Sequence, residues 1–422
     1  MTMRRAVAIT VCGLILASAT ALGGCRGAPV TATDLTAGPR ATAAPVQAPS
    51  PQTQPAAASK PAPVPAPAPR RHHVDIHGLY MTGWTAGSDR FYELVAYMKE
   101  TGLNAVVIDA QDDDGQISWE TQIPMAVELG ANEGKITDID ARVQYLKANG
   151  IYAIARIVVY ADPLLGRKRP DLSILGGDFM DTRGIRWPDP YNRQVWEYKA
   201  AVAKEAASRG FDEIQFDYIR FPEHRIEGYN YHVPVERRTQ AIESFLRYAK
   251  AELAPWDVFV AADVFGLTTS VPEGDDMEIG QDYAGLAATV DYILPMVYPS
   301  HYAPGTYGIA DPNQQPGQIV YESLVAAQKR TWGMDVRKHR PWLQDFTYGK
   351  HYTAGDVAEQ IRGLARAGIY QWVLWDPNNR YTRGVDYGVG GGFSGPPGAW
   401  RADWQPPEPS REDRRHLADH LR

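Results

Sequence analysis

The sequence predicts a closed (β/α)8 barrel, and three observations carry that prediction. From Ile76 to Trp375 short apolar runs alternate with amphipathic stretches, the pattern of parallel strands joined by crossover helices. Eight such repeats fit into roughly 300 residues, the size a closed barrel requires. The first repeat leads into Thr82-Gly83-Trp84-Thr85-Ala86-Gly87, which lacks the glycine-rich phosphate loop of a doubly wound open sheet.

The predicted strands are Ile76–Thr82, Ala105–Ala110, Tyr152–Val159, Glu213–Ile219, Val258–Val264, Tyr292–Tyr298, Pro341–Phe346 and Tyr370–Trp375. After the first, Ser88-Asp89 is placed to cap a helix ending at Thr101-Gly102, with Phe91, Leu94, Val95 and Met98 on one face. Asp138 to Asn149-Gly150 repeats the arrangement before the third strand's pattern begins. Tyr191–Arg209, Glu236–Leu253, Tyr283–Thr289, Gly317–Trp332 and Thr353–Ala367 supply the remaining helices. Gly102, Gly150, Gly210 and Gly368 each end a helix just before a strand, which suits a left-handed cap and a tight turn.

The N-terminal residues are expected to stand outside this fold. Arg4 and Arg5 precede a short apolar run, Ala6 to Ala21, which ends in Leu22-Gly23-Gly24-Cys25. A positive region, a short apolar region and small residues before a cysteine resemble a bacterial lipoprotein signal. Residues 1–24 are therefore expected to be removed and Cys25 lipidated, giving an exported, membrane-anchored protein of the cell envelope, otherwise a secreted one. Residues 25–71 are rich in Ala, Pro and Thr and read as a disordered tether. The barrel is expected to span 72–380, and 381–422 reads as an irregular Gly- and Pro-rich tail.

Composition narrows the function. Seven basic residues and one acidic residue precede His72, leaving 36 basic and 49 acidic side chains and a net charge of −13. Such a balance argues against nucleic acid and against adsorption to anionic lipid, and suits neutral or cationic glycans. Only Cys12 and Cys25 exist, and neither lies in the barrel, so disulfides, thiolate metal sites and cysteine nucleophiles are excluded there. No Gly-x-Ser-x-Gly elbow occurs. No His-x-His follows a strand end and only His301 is expected near the mouth, so neither a metal nor another cofactor is expected.

In a barrel, catalysis sits at the C-terminal strand ends. Those ends deliver Trp84, then Asp109 with Asp112-Asp113-Asp114-Gly115 behind it, and then Arg156, Tyr160 and Asp162. Strand 4 gives Asp217, Tyr218 and Arg220, and strand 5 gives Asp263. Tyr298 and His301, Gln344 and Asp345, and Trp375 and Asp376 complete the rim. Acids mixed with Trp and Tyr suit a sugar site, since rings stack on pyranoses while carboxyls bond hydroxyls and cleave acetals. Glycoside hydrolysis needs two carboxyls, and Asp217 and Asp263 end neighbouring strands on inward-facing positions. They are the expected catalytic pair. Trp84, Asp109, Arg156, Tyr218, Arg220, Tyr298, His301, Gln344, Asp345 and Trp375 are expected to bind substrate.

Asp217 or Asp263 is alternatively a structural partner of Arg156 or Arg220. The Asp112–Gly115 turn lacks calcium-loop spacing. His72, His73 and His77 lie at the bottom, as tether or surface residues, and Trp119, Trp187, Trp196 and Trp256 read as packing.

Several long motifs together carry a family resemblance. Asn104-Ala-Val-Val-Ile-Asp109, residues 151–158, Gly210-Phe-Asp-Glu-Ile-Gln-Phe-Asp-Tyr-Ile-Arg-Phe-Pro222, Ala262-Asp-Val-Phe-Gly266, residues 291–301 and residues 340–346 resemble the putative glycoside hydrolase family of bacterial (β/α)8 barrels. The resemblance spans His77 to Asp376, and more distantly it reaches the alpha-amylase superfamily. It implies Asp217 as nucleophile and Asp263 as general acid/base. Gln111 stands where the family pattern has Lys, which leaves the charge partner of Asp109 open. Asp263 is one methylene shorter than the Glu of amylases, a change that favours a wider carboxyl gap and inversion. The expected activity is hydrolysis of an extracellular or cell-wall polysaccharide by a monomer. The alternative is a catalytically silent, glycan-binding barrel.

Overall fold

The computed structural model describes residues 73–223 and 234–388. The expected signal segment, Cys25, the tether, His72 and the tail beyond Gly388 lie outside the described residues.

The eight strands are β1 (His77–Met81), β2 (Ala105–Gln111), β3 (Tyr152–Val158), β4 (Glu213–Asp217), β5 (Phe259–Phe265), β6 (Tyr292–Met296), β7 (Trp342–Gln344) and β8 (Trp372–Trp375). They close in sequence order, every neighbouring pair parallel, with β8 against β1. The helices are α1 (Gly83–Gly87), α2 (Arg90–Thr101), α3 (Pro124–Leu129), α4 (Ile139–Ala148), α5 (Pro163–Lys168), α6 (Arg193–Ser208), α7 (Val235–Leu253), α8 (Tyr283–Thr289), α9 (Pro316–Arg330) and α10 (Ala354–Arg366). This is the expected (β/α)8 barrel.

Local chemistry sets the helix ends. Asp138 caps α4 by accepting from Ala141 N, and Thr353 forms a capping box with Asp356 on α10. The four helix-ending glycines all take positive φ, between 70° and 94° for Gly150 and Gly210. An L side chain there would crowd the backbone. At α2, Asp89 precedes the first turn but makes no side-chain cap.

Two apolar layers result. Outward strand residues such as Val106, Ile108, Ile214, Phe216 and Val264 pack against the helices. Inward ones, including Val107, Ile154, Ala261, Leu294, Trp342 and Val373, fill the barrel, as small closed barrels require. Charge closes the bottom. Arg340 Nη1 donates to both oxygens of Glu213 at 2.7 and 2.6 Å, and its Nε donates to Gln371 at 3.0 Å. The Arg340 Cζ stands over the Tyr292 ring, 3.7 Å from its centroid. His73 bonds Tyr292 and Asp75, while His77 bonds Tyr370 O and packs on Trp372. These histidines sit at the bottom as expected, but they are knitted into it and are not loose surface groups.

The irregular stretch after β8 also packs on the barrel as far as it is described. Tyr381 Oη donates to Tyr80 O at 2.5 Å, Tyr387 Oη meets Tyr97 Oη at 2.9 Å, and Val385 is buried.

Candidate active site

β2, β3 and β4 bring Asp109, Arg156 and Asp217 to one place. Registers Asp109↔Arg156 and Val158↔Asp217 set the three side chains at the C-terminal end of the barrel. Arg156 Nη1 donates to Asp109 Oδ1 at 2.7 Å, while its Nε and Nη2 donate to Asp217 Oδ2 at 2.9 and 2.6 Å. One buried guanidinium therefore bridges two carboxylates, a geometry suited to its planar fork. Tyr80 Oη donates to the other oxygen of Asp109 at 2.5 Å. Burial pushes the Asp109 carboxyl up to about 6, against the pull of Arg156 and Tyr80.

The charge partner of Asp109 is thus Arg156 on the next strand. Gln111 takes no part, because the register shifts between Asp109 and Gln111. Alternation would have put both on one face, and a bulge turns the second away. Gln111 instead accepts from Lys199 at 2.8 Å and donates to Asp162 at 3.2 Å, behind the strand. Asp162 pairs with Lys199 at 2.7 Å and caps α5 through Leu165 N. Tyr160 is buried in the outer layer, edge-on to Phe245.

Tyr218 shapes the far side of Asp217. Its φ of 50° is left-handed for a residue with a Cβ, a conformation that clusters at functional sites. The turn folds its N–H back onto Asp217 Oδ1 at 2.6 Å. Arg220 next packs among Trp187, Tyr218 and Phe265, and pairs with Glu223 at 2.8 Å.

Asp263 has a different environment. The last registered pair between β4 and β5 is Phe216↔Ala262, so one step further Asp217 and Asp263 stand on adjacent strands at the same level. Among the described residues, no cation bonds Asp263. Gln215 Nε2 donates to its two oxygens at 2.6 and 2.8 Å, and Trp342 Nε1 donates to Oδ1 at 2.7 Å. Burial, and next the negative charge of Asp217, raise its pKa well above the usual carboxylate range. The Tyr298 hydroxyl shares this field, raised by burial first and then by Asp263 and Asp217.

Aromatic rings wall the mouth. Trp375 stacks on Tyr80 with centroids 4.1 Å apart and meets Trp342 edge-on at 5.4 Å. Arg156 lies 5.3 Å from the Trp375 ring centre. Tyr298 packs against His301 and Phe346 at 5.6 and 5.4 Å. Trp84 stands on α1, beside the mouth, 60% exposed, with Lys135 Nζ 5.7 Å from its ring.

Two expected sugar contacts are engaged elsewhere. Gln344 accepts from Ser300 N and Oγ and donates to Phe346 O. Asp345 accepts from Thr382 N at 3.0 Å and Oγ1 at 2.5 Å. Both tie loops together at the rim. Within the acidic turn, Asp112 pairs with Lys135 and holds two backbone N–H groups. Asp113 is the exposed acid whose charge reaches Tyr80, Asp109, Arg156 and Tyr218. Sequence reading had not singled out Tyr80 and Trp342. Alternation around Gly78 and Gln344 places both inward, and that was the available signal. Among the described residues no group of three His, Cys, Asp or Glu is arranged to hold a metal ion.

No curated protein matches this chain. The family described as "Putative glycosyl hydrolase domain" matches residues 78–381. The chain belongs to that family. Among solved structures, it is similar to a hypothetical protein from Ruminiclostridium thermocellum, 40% identical over 44% of this chain and 97% of that one, with a TM-score of 0.38. The PgaB (BpsB) glycoside hydrolase domain from Bordetella bronchiseptica is 14% identical, over 72% and 95% of the two chains, with a TM-score of 0.56. A class V chitinase from Pseudomonas fluorescens is 14% identical over 74% and 98%, with a TM-score of 0.45. At such identity the PgaB match speaks for the barrel alone. A glycosyl hydrolase domain is what the family membership states for residues 78–381.

Proposed function

We propose that this barrel cleaves a glycosidic bond in an extracellular or cell-wall polysaccharide, with Asp217 and Asp263 as its two carboxyls. The observation that carries the reading is their contrast on adjacent strands. Asp217 is ion-paired through two N–H donors of Arg156, whereas among the described residues Asp263 meets only neutral donors, and it is held toward its protonated form. Neighbouring carboxyls in opposed environments divide the acid and anion roles between them. Asp263 gives its proton to the leaving oxygen. Asp217 stabilises or attacks the oxocarbenium-like carbon, and a water molecule completes hydrolysis. The Tyr80–Trp375 stack, Tyr298 and the exposed Trp84 offer faces and a hydroxyl to the sugar, with Asp109 and Asp113 as acceptors.

The test is a glycan-hydrolysis screen of the barrel beside two folded variants. Asp217→Asn is expected to abolish turnover and keep glycan binding. Asp263→Asn is expected to lose about 10²- to 10⁴-fold, with recovery on aryl glycosides whose leaving group needs no proton. Full activity in either variant on natural glycan would sink the assignment. One observation favours a second reading, a glycan-binding barrel without turnover: Asp263 is only 1% exposed. That reading predicts glycan binding, no hydrolysis, and little effect of Asp263→Asn on affinity.

We further propose a lipid anchor at Cys25 and an extracytoplasmic location, supported by the residue pattern before that cysteine. Cys25→Ser is expected to release the protein from the membrane fraction. Unchanged membrane association would refute the anchor.

A further inference from the structure

Gln215 is fully buried, two residues before Asp217 on the inner face of β4. Its Nε2 lies 2.6 and 2.8 Å from the two oxygens of Asp263, while its Oε1 is buried with no hydrogen-bond partner among the described residues. A buried carboxamide oxygen left unbonded is costly. Nothing in the hydrolytic scheme uses it.

The two ends of a carboxamide have nearly the same shape but opposite hydrogen-bonding roles. With Nε2 toward Asp263, the ionised carboxylate receives three N–H bonds, two from Gln215 and one from Trp342. Once Asp263 is protonated, one of its oxygens becomes a donor. Trp342 Nε1 already occupies Oδ1 at 2.7 Å, which leaves the proton on Oδ2, 2.8 Å from the amide. An N–H facing that O–H is a donor against a donor. Turning the amide by half a rotation places Oε1 there as the acceptor. Either orientation leaves one end of the amide in the same unbonded position, so the proton on Asp263 decides between them.

We propose that Gln215 is a positioning residue whose carboxamide reverses with the proton on Asp263, bonding the acid before proton transfer and the carboxylate after it. This rests on Asp263 as the proton donor of the proposed hydrolysis. When the Asp263 O–H bond breaks, its proton forms the new O–H bond of the leaving group. The bond pair stays on Asp263, and the reversed amide then donates to it. Water attacking the sugar returns a proton to Asp263, and the amide turns back.

The experiment is a pH titration followed by NMR, with ¹³C-labelled Asp carboxyls and ¹⁵N-labelled Gln amides in the whole barrel. The Gln215 side-chain resonances are expected to change with the same midpoint as the Asp263 carboxyl, and no coincident change would overturn the proposal. Gln215→Met, similar in volume with neither an amide N–H nor a carbonyl, is expected to raise the Asp263 midpoint by about one pH unit or more. The alkaline limb of kcat/KM should move in the same direction. A folded Gln215→Met variant with lowered activity and an unmoved midpoint would show a merely structural role and overturn the proposal. The wild-type measurement stands if that variant does not fold. Both titrations read out without turnover, so absence of hydrolysis on every glycan would end the hydrolase reading and leave this test intact.

Discussion

Asp345 and Asp109 show how burial makes single residues sensitive to pH. Burial raises Asp345 from 3.8 to about 7 despite the donors of Thr382, and raises Asp109 to about 6. Both folded values lie above the unfolded one, so the folded state binds more protons between these limits. The stability these groups contribute is fully present below about pH 4 and is lost as pH rises through the folded values. Thermal denaturation across pH 4 to 8 is expected to show a shallower decline in Asp345→Asn than in wild type, since Asn keeps an acceptor for Thr382 and cannot titrate. Parallel curves would contradict the assignment. Asp109→Asn removes a titrating group and also leaves Arg156 with Asp217 as its one carboxylate partner among the described residues.

At the scale of the element, helix ends offer the sharpest predictions. Gly150 ends the turn after α4 at a φ of 70°, and a Cβ built there meets nothing within 4 Å. Gly150→Ala should therefore cost about 1–2 kcal/mol from backbone strain alone, read as a drop in the urea midpoint with an unchanged slope. Thr353→Ala removes the capping box of α10 and should cost about 1 kcal/mol. The β2 bulge is the element on which the site turns. It lets Asp109 face Arg156 while Gln111 joins Lys199 and Asp162 outside the barrel. A strict strand would have brought a second polar side chain into the mouth.

The whole barrel is polarised along its axis. Its bottom is plugged by Arg340 and Glu213, both wholly buried, and its top holds the bridged pair of Asp109 and Asp217. A buried ion pair adds little over well-packed apolar groups, but removing one partner strands the other charge. Arg340→Met is expected to destabilise by about 3–5 kcal/mol, and a second change, Glu213→Leu, to recover much of the loss. Urea denaturation of the single and double variants checks this, and an additive double variant would argue against the pairing. Both changes lie at the end of the barrel opposite the proposed active site, so catalytic parameters of the folded fraction should change little.

Much of this was legible because period-two alternation and glycine punctuation are local properties. All eight strands and the major helices fall within a few residues of where the apolar runs placed them, and Asp217 and Asp263 face inward, where Arg156 meets the first and Trp342 the second. Sequence by itself therefore determined the barrel, its direction, and which acids stand near the C-terminal ends of neighbouring strands, although β5 runs two residues past Asp263. Only the tertiary structure decided their chemistry. Arg156 divides itself between two acids, Gln215 and Trp342 converge on Asp263 from strands far apart in sequence, and Thr382 claims Asp345 from beyond β8. Burial and hydrogen-bond partners come from elements that no local window contains, and they decide whether a strand-end acid is charged, protonated or merely holding a loop.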